Sequence, residues 1–286
     1  MASAPVAREA PPAHDGAGYD AVVRAVASRG EVVAREPGSA MRQGATIRGR
    51  SFLTDTIGFF DVRPDAEVAK FVPGQYVTLG IADGDSVVER AYSIASSARR
   101  VADGYELYVR LVPGGALTPR LFALEPGARV SLRRPKGRFT LAPDDTRTHL
   151  FVATGCGLAP FMAMLRTLDD DGAPRPVVLV HGVSYRDELG YREELERLAR
   201  DPRWTLTYIP TISRPSEASN AGWHGRTGRA EAIIGGVVRD LRLAPDGTVA
   251  YVCGNPEMTV SVARILEGAG FDPRAIHKEQ YWPLRA

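Results

Sequence analysis

The short turn-forming stretch APDD, residues 142–145, separates two different hydrophobic rhythms, and a chain that changes rhythm once has few folds open to it. Ahead of it, from Ala45 to Leu141, short runs are divided by turn residues: TIRGRSFLTDTIGFFDVRP, QYVTLGIADG, RAYSIASS, YELYVRLVP and ARVSLRRPKGRFTL. Such runs read as strands joined by tight turns, and so as a small closed antiparallel barrel whose one helical stretch is TPRLFAL. Behind it, the continuous apolar runs HLFVAT, PVVLVHGVS, TLTYIPTIS and VAYVCGN alternate with the helical patterns LAPFMAMLRTL, ELGYREELERLAR, RAEAIIGGVV and EMTVSVARILEGAG. Unbroken apolar strands with helical crossovers imply a parallel sheet covered on both faces. The expected organisation is an antiparallel β-barrel domain over residues 45–143 followed by an α/β parallel-sheet domain over residues 144–286. Residues 1–44 read as a Pro/Ala/Gly-rich extension, partly disordered, with helical spacing only in YDAVVRAVASRGEVVAR.

With 286 residues and 44% hydrophobic composition, the chain can bury two cores. Lys and Arg number 36 against 34 Asp and Glu, a balance that gives no electrostatic reason to expect nucleic acid. The longest uncharged run, Leu150–Leu165, is shorter than a membrane span and contains Gly155, Gly157 and Pro160. No membrane partner is expected. Glu9, Asp15, Asp20, Glu31 and Glu36 argue against a transit peptide, and no apolar signal core is present, so a cytoplasmic location is expected; the chain is separately expected to be a monomer. The two cysteines, Cys156 and Cys253, cannot form a metal knuckle or hold an iron–sulfur cluster by themselves, so no metal is assigned.

The loop in FVATGCGLAPF follows the first apolar run of the second half. Thr154 ends the strand, Gly155 and Gly157 allow a tight turn, and a helix starts near Leu158 with Pro160 in its first turn. Helix N-termini at the carboxyl edge of a parallel sheet bind anions. A glycine turn needed only for packing is the competing reading. The other strand ends add HGVSYRDELGY, TISRP followed by HGRTGR, and CGNPEM, which bring small, hydroxyl and cationic residues to the same edge. Ser213, Arg214 and Arg226 suit an extra phosphate, since a guanidinium fork matches phosphate oxygens. An exposed arginine with no ligand at all reads the same way in sequence.

In the first half, RAYS places Arg90 and Tyr92 on one strand face, and Ala91 and Ser93 on the other. A cation beside an aromatic ring and a hydroxyl suits a ligand that joins phosphate to a flat ring, although a strand tyrosine also serves for packing. The stretch VPGGALTPRL offers Gly115–Thr118 as a second phosphate cradle. At the C-terminus, HKEQYW sets Glu279 beside two aromatic residues.

Taken in order, RAYS, GALTPRL, ATGCGLAPF, SR, CGNPEM and EQYW resemble the ferredoxin–NADP reductase family in its bacterial form, from about Ala45 to Trp282. That resemblance implies an FAD-binding β-barrel domain and an NADP(H)-binding α/β domain. It assigns Arg90 to the FAD pyrophosphate, Tyr92 to stacking on the flavin, and Ser93, with Ala91, to the flavin edge. Tyr108, Val109 and Arg110 would flank FAD, Leu117 and Thr118 would meet its phosphates, and Thr154 would lie close by. Tyr281 would cover the other flavin face and Trp282 the adenine. Gly155 and Gly157 would meet the NADP pyrophosphate, with Ser213, Arg214 and Arg226 at the 2′-phosphate. Gly254 would join this nucleotide site. Ser93, Cys253, Glu279 and Tyr281 would form the catalytic set around the nicotinamide. Where bacterial members carry an arginine this chain has Ser184, and Arg186 is the expected substitute. Cys156 stands where the family usually has Thr or Ser.

The implied activity is hydride transfer from NADPH to FAD, then single-electron transfer to ferredoxin or flavodoxin. Arg99, Arg100, Arg133, Arg134, Lys136 and Arg138 are expected as a basic rim for an acidic carrier. A reductase component of an oxygenase system, NADH-linked, is the alternative, and a non-catalytic flavin or nucleotide sensor is a third.

Overall fold

The computed structural model describes residues 42–281. The helix expected within residues 19–35 and Trp282 lie outside them. The first half holds β1 (Arg42–Thr54), β2 (Ile57–Pro64), β3 (Tyr76–Asp83), β4 (Ser86–Ser93), β5 (Tyr105–Arg110), α1 (Thr118–Ala123) and β6 (Arg129–Lys136). All neighbours in the order β4-β3-β6-β1-β2-β5 pair antiparallel, and a single bridge from Ile94 to Leu107 brings the two edges together. The alternating residues Ala45, Ile47, Phe60, Val62, Val77, Leu79, Leu107 and Leu132 meet inside this barrel. β1 begins at Arg42, opposite Arg133, three residues ahead of the expected barrel start.

The second half holds β7 (Thr148–Thr154), α2 (Ala159–Asp170), β8 (Val177–Val183), α3 (Arg192–Arg200), β9 (Leu206–Ile212), β10 (Arg226–Thr227), α4 (Ala230–Asp240), β11 (Thr248–Gly254), α5 (Pro256–Gly268) and β12 (Ile276–Gln280). These strands form one parallel sheet in the order β10-β9-β8-β7-β11-β12. Phe151 and Ala153 of β7 pack with α2 and α3, whereas Leu150 and Val152 pack with α4 and α5. Both sheet faces are therefore covered, which is why β7, β8 and β11 carry no polar alternation.

The barrel residues Ile57, Ala95, Tyr108 and Phe139 join the α2/α3 core cluster. Polar contacts extend this junction. Arg166 of α2 binds Glu106 of β5 at 2.6 Å, the Ala95 carbonyl at 3.0 Å and Glu194 of α3 at 2.7 Å. The Ala98 N–H also donates to the Thr167 hydroxyl. The sequence reading missed β10 and β12. β10 is only two residues long, and β12, IHKEQ, has one apolar side chain because it is an edge strand.

Candidate active site at the sheet edge

From β7 the chain builds outward through β8 and β9, then returns to lay β11 on the other side of β7. That reversal makes a crevice between the loops after β7 and β11, where open α/β sheets bind ligands. Gly155–Leu158 forms a 3-10 turn before α2, so the helix begins one residue later than expected, and Pro160 occupies its first turn. A Cβ at Gly157 would collide with the Cys253 carbonyl, and one at Gly254 (φ 135°) with Thr154. These two glycines let the loops touch, and Thr154 Oγ1 accepts the Asn255 N–H at 3.0 Å across the same gap. For Gly157 the packing role is the one the structure displays. Gly155 differs, with φ 51° and its Cβ position opening toward the Arg110 guanidinium 3.8 Å away.

Beneath this loop lies His181, fully buried on β8, with Nε2 3.3 Å from the Gly155 carbonyl and Nδ1 3.5 Å from the Tyr208 hydroxyl. Burial lowers its pKa to about 4, so the ring is neutral near pH 7. An Nε2–H tautomer satisfies both contacts. A trans peptide opposes its C=O and N–H, so the Cys156 N–H points away from His181. Nothing in PVVLVHGVS distinguishes this histidine from the aliphatic residues around it.

β12 supplies the next group. Its parallel register sets Glu279 opposite Cys253, and Ser93 Oγ from the barrel donates to Glu279 Oε2 at 3.5 Å. Ser93 and Cys253 are buried. Desolvation raises the Glu279 pKa to about 7, against a smaller opposing effect of the Ser93 hydrogen bond. Tyr281 follows, 37% exposed as a whole residue, its hydroxyl donating to the Cys156 carbonyl and lying against the Cys253 thiol. The expected set of Ser93, Cys253, Glu279 and Tyr281 is thus brought together. Burial pushes the Cys156 thiol up to about 12 and Cys253 well above its ordinary value, so both are neutral near pH 7.

On the barrel side Arg90 and Ala91 are exposed and Tyr92 is half-buried. Arg90 has no ion pair among the described residues, and its Nη1 binds only the adjacent Glu89 carbonyl, at 2.7 Å. A cation held in reserve beside a partly covered ring fits a pyrophosphate joined to a flat heterocycle. At the other positions expected around FAD, the side chains already have partners within the protein. Tyr108 is spent on packing: it stacks on Phe59 at 5.0 Å, and its hydroxyl bonds the Glu188 carbonyl. Val109 and Leu117 lie in the barrel core. The Thr118 hydroxyl turns back to the Val112 N–H at 2.9 Å, so at these positions backbone, rather than side chain, is left for a ligand. Arg110, expected to flank FAD, ion-pairs with Glu188, in the turn after β8, at 2.9 Å and stands beside Gly155.

At the far end of the edge, Arg214 donates to the Tyr185 hydroxyl at 2.6 Å and lies over that ring. Ser213 anchors through its N–H to the Val183 carbonyl, and Arg186 Nη1 binds the Ala221 carbonyl. Arg226 does not join them: its guanidinium is turned to Asp240 at the end of α4. Arg229, immediately before α4, is the other arginine of this segment, exposed and 3.8 Å from Glu231. The preceding Gly228 donates to the Ile212 carbonyl, which ties the residue before Arg229 to the exit of β9. The sequence reading chooses Arg226 and passes over Arg229, whose backbone leads into α4. The expected basic rim is also smaller. Arg99, Arg100 and Arg133 are paired with Asp171, Asp170 and Glu89, while Arg134, Lys136 and Arg138 are exposed without ion pairs among the described residues.

Barrel, doubly covered parallel sheet and shared crevice define a flavin- and nicotinamide-dependent oxidoreductase. An oxidoreductase FAD-binding domain model matches residues 52–141 and an oxidoreductase NAD-binding domain model residues 151–264. The chain is 34% identical over 225 residues to ferredoxin–NADP reductase B of Sorangium cellulosum, covering 77% of this chain and 88% of that one. It belongs to the ferredoxin–NADP reductase family. It is also 30% identical to the toluate 1,2-dioxygenase electron transfer component of Pseudomonas putida, over 84% of this chain and 67% of that one. Ferredoxin NADP+ reductase from Neisseria gonorrhoeae, solved with bound FAD and NADP, shares the fold, with a TM-score of 0.74 at 24% identity over 85% of this chain and all of that one. Among the described residues, no helix is long and apolar enough to cross a membrane.

Proposed function

We propose that this protein is a ferredoxin/flavodoxin–NADP reductase, moving electrons between NADPH and a one-electron carrier protein through FAD. The observation that carries the reading is the meeting of barrel Ser93 with Glu279 and Cys253 of the sheet edge, since it makes one site from two nucleotide-binding halves. When bound, FAD supplies the conversion between two-electron nicotinamide chemistry and one-electron carrier chemistry. Arg90 would neutralise its pyrophosphate, Tyr92 would cover its ring and Ser93 would reach its edge, with Ala91, Thr118 and Thr154 close by. Trp282 stays assigned to the adenine by resemblance.

On the other side of the crevice, the 3-10 turn at Gly155 and the Arg110 guanidinium would receive the NADP pyrophosphate. Ser213, Arg214 and Arg229, with Arg186, would receive the 2′-phosphate. Tyr281 occupies the crevice beside Cys253 and must move to admit the nicotinamide. Glu279, with a pKa near 7, can keep a proton on its carboxyl oxygen opposite Ser93 and can exchange it near neutrality. Buried Cys253 helps to keep water from that position.

Arg134, Lys136 and Arg138 form the remaining basic strip. Tyr76 pairs with both Ser93 and Lys136, so the strip lies at the Ser93 end of the barrel and suits an acidic carrier. The likeness to oxygenase-system components supports a second reading, in which the carrier belongs to an oxygenase and NADH is the donor. Steady-state reduction of a ferredoxin with each coenzyme, across ionic strength, separates the two. The proposal expects NADPH preference and rates that fall with salt. A preference for NADH would reject the NADP assignment, and a flat salt profile would reject steering by the strip.

A further inference from the structure

The loop between β9 and β10, residues 213–225, is largely exposed, yet within it Asn220 is only 2% exposed. A buried amide in an exposed loop needs a reason, because unpaired it costs stability. Asn220 Oδ1 accepts the Arg186 N–H at 2.8 Å, and Nδ2 donates to the Ser184 carbonyl at 3.1 Å and the Arg214 carbonyl at 2.8 Å. Only this amide orientation satisfies all three groups. One side chain therefore fastens the exit of β8 to the exit of β9. Arg214 is held twice, by its carbonyl on Asn220 and by its guanidinium on Tyr185, which stands between Ser184 and Arg186, the two residues after β8 that Asn220 also holds.

We infer that Asn220 is a positioning residue for coenzyme choice, fixing the Arg214 guanidinium where it discriminates a 2′-phosphorylated nucleotide from one without that phosphate. The inference rests on the 2′-phosphate site proposed above. Asn220 touches no ligand itself; it removes the freedom that Arg214 would otherwise lose on binding. Asn220→Asp keeps the shape but turns a carboxylate oxygen toward two carbonyls and deletes both donors. Its effect should fall on the phosphate-bearing coenzyme alone.

The test compares kcat/KM for NADPH and for NADH in the wild type, Asn220→Asp and Arg214→Ala, with flavin absorbance and NADH turnover as controls for an intact fold. The expected result is a wild-type preference for NADPH that falls roughly tenfold in both variants through a higher NADPH KM, with the NADH kinetics of Asn220→Asp within about twofold of wild type. If Arg214→Ala erodes the preference and Asn220→Asp does not, the role of Asn220 is overturned while the phosphate site stands. If Asn220→Asp weakens both coenzymes equally, Asn220 is a general loop support and the inference fails. A wild type with no NADPH preference removes the phosphate site and the inference with it.

Discussion

Ser93 and Glu279 lie 186 positions apart, one at the end of a barrel strand and the other on the edge strand of the parallel sheet, and their side chains meet at 3.5 Å. Burial holds the Glu279 carboxyl to a pKa of about 7, above its ordinary 4.5. A carboxyl whose folded-state pKa is raised keeps its proton longer in the folded chain than in the unfolded one. Its contribution is fully present below pH 4.5 and is lost as pH rises through 7. Glu279→Gln should remove that loss. Thermal melts from pH 4 to 8 should show a midpoint advantage of the variant over wild type that grows with pH and levels off above 7. Parallel melting curves would mean that the carboxyl is not the titrating group.

Tyr281 is tied to the Cys156 carbonyl and packs on the Cys253 thiol, so a nicotinamide entering the proposed site beside Cys253 would have to displace it. Tyr281→Ser should tighten NADP+ binding by about tenfold, because displacing the ring no longer opposes association. Slower product release should then lower turnover. Unchanged binding in a difference-absorbance titration would place the nicotinamide elsewhere.

Gly157 and Gly254 allow the loops after β7 and β11 to touch. Gly157→Ala puts a methyl group against the Cys253 carbonyl, and that backbone has to yield. Both Tm and nucleotide affinity should fall, whereas Gly172→Ala, at a turn with open space around it, should leave nucleotide affinity intact. Nucleotide titration and melting of both variants check the contrast.

Arg110 and Arg214 should separate by coenzyme. Arg110 lies beside Gly155, where the pyrophosphate common to NADPH and NADH is proposed, so Arg110→Ala should raise KM for both by about tenfold. Arg214→Ala should raise it for NADPH alone. Equal behaviour of the two variants would contradict the proposed orientation of the nucleotide along the sheet edge.

The two rhythms on either side of residues 142–145 carried the architecture, because buried strands and amphipathic helices write their environment into period and composition. The group Ser93, Cys253, Glu279 and Tyr281 was legible only as an ordered set of motifs. No single position announced it, since β12 is an edge strand with one apolar side chain. Other features were out of reach for definite reasons. Arg226 and Arg229 look alike in HGRTGR, because the directions of their guanidinium groups, toward Asp240 and toward Glu231, are set by the fold. His181 and Asn220 act through backbone carbonyls and amides, and a sequence does not display those partners. Arg99, Arg100 and Arg133 read as free cations because the carboxylates that pair with them are distant in sequence.

An anaerobic absorbance titration of the purified protein with NADPH, followed by oxidised ferredoxin or flavodoxin, tests the central claim most directly. The account predicts a yellow protein whose flavin bands bleach on NADPH and return when the carrier is added, as electrons leave one at a time. A colourless protein, or a yellow one that NADPH does not bleach, would contradict it.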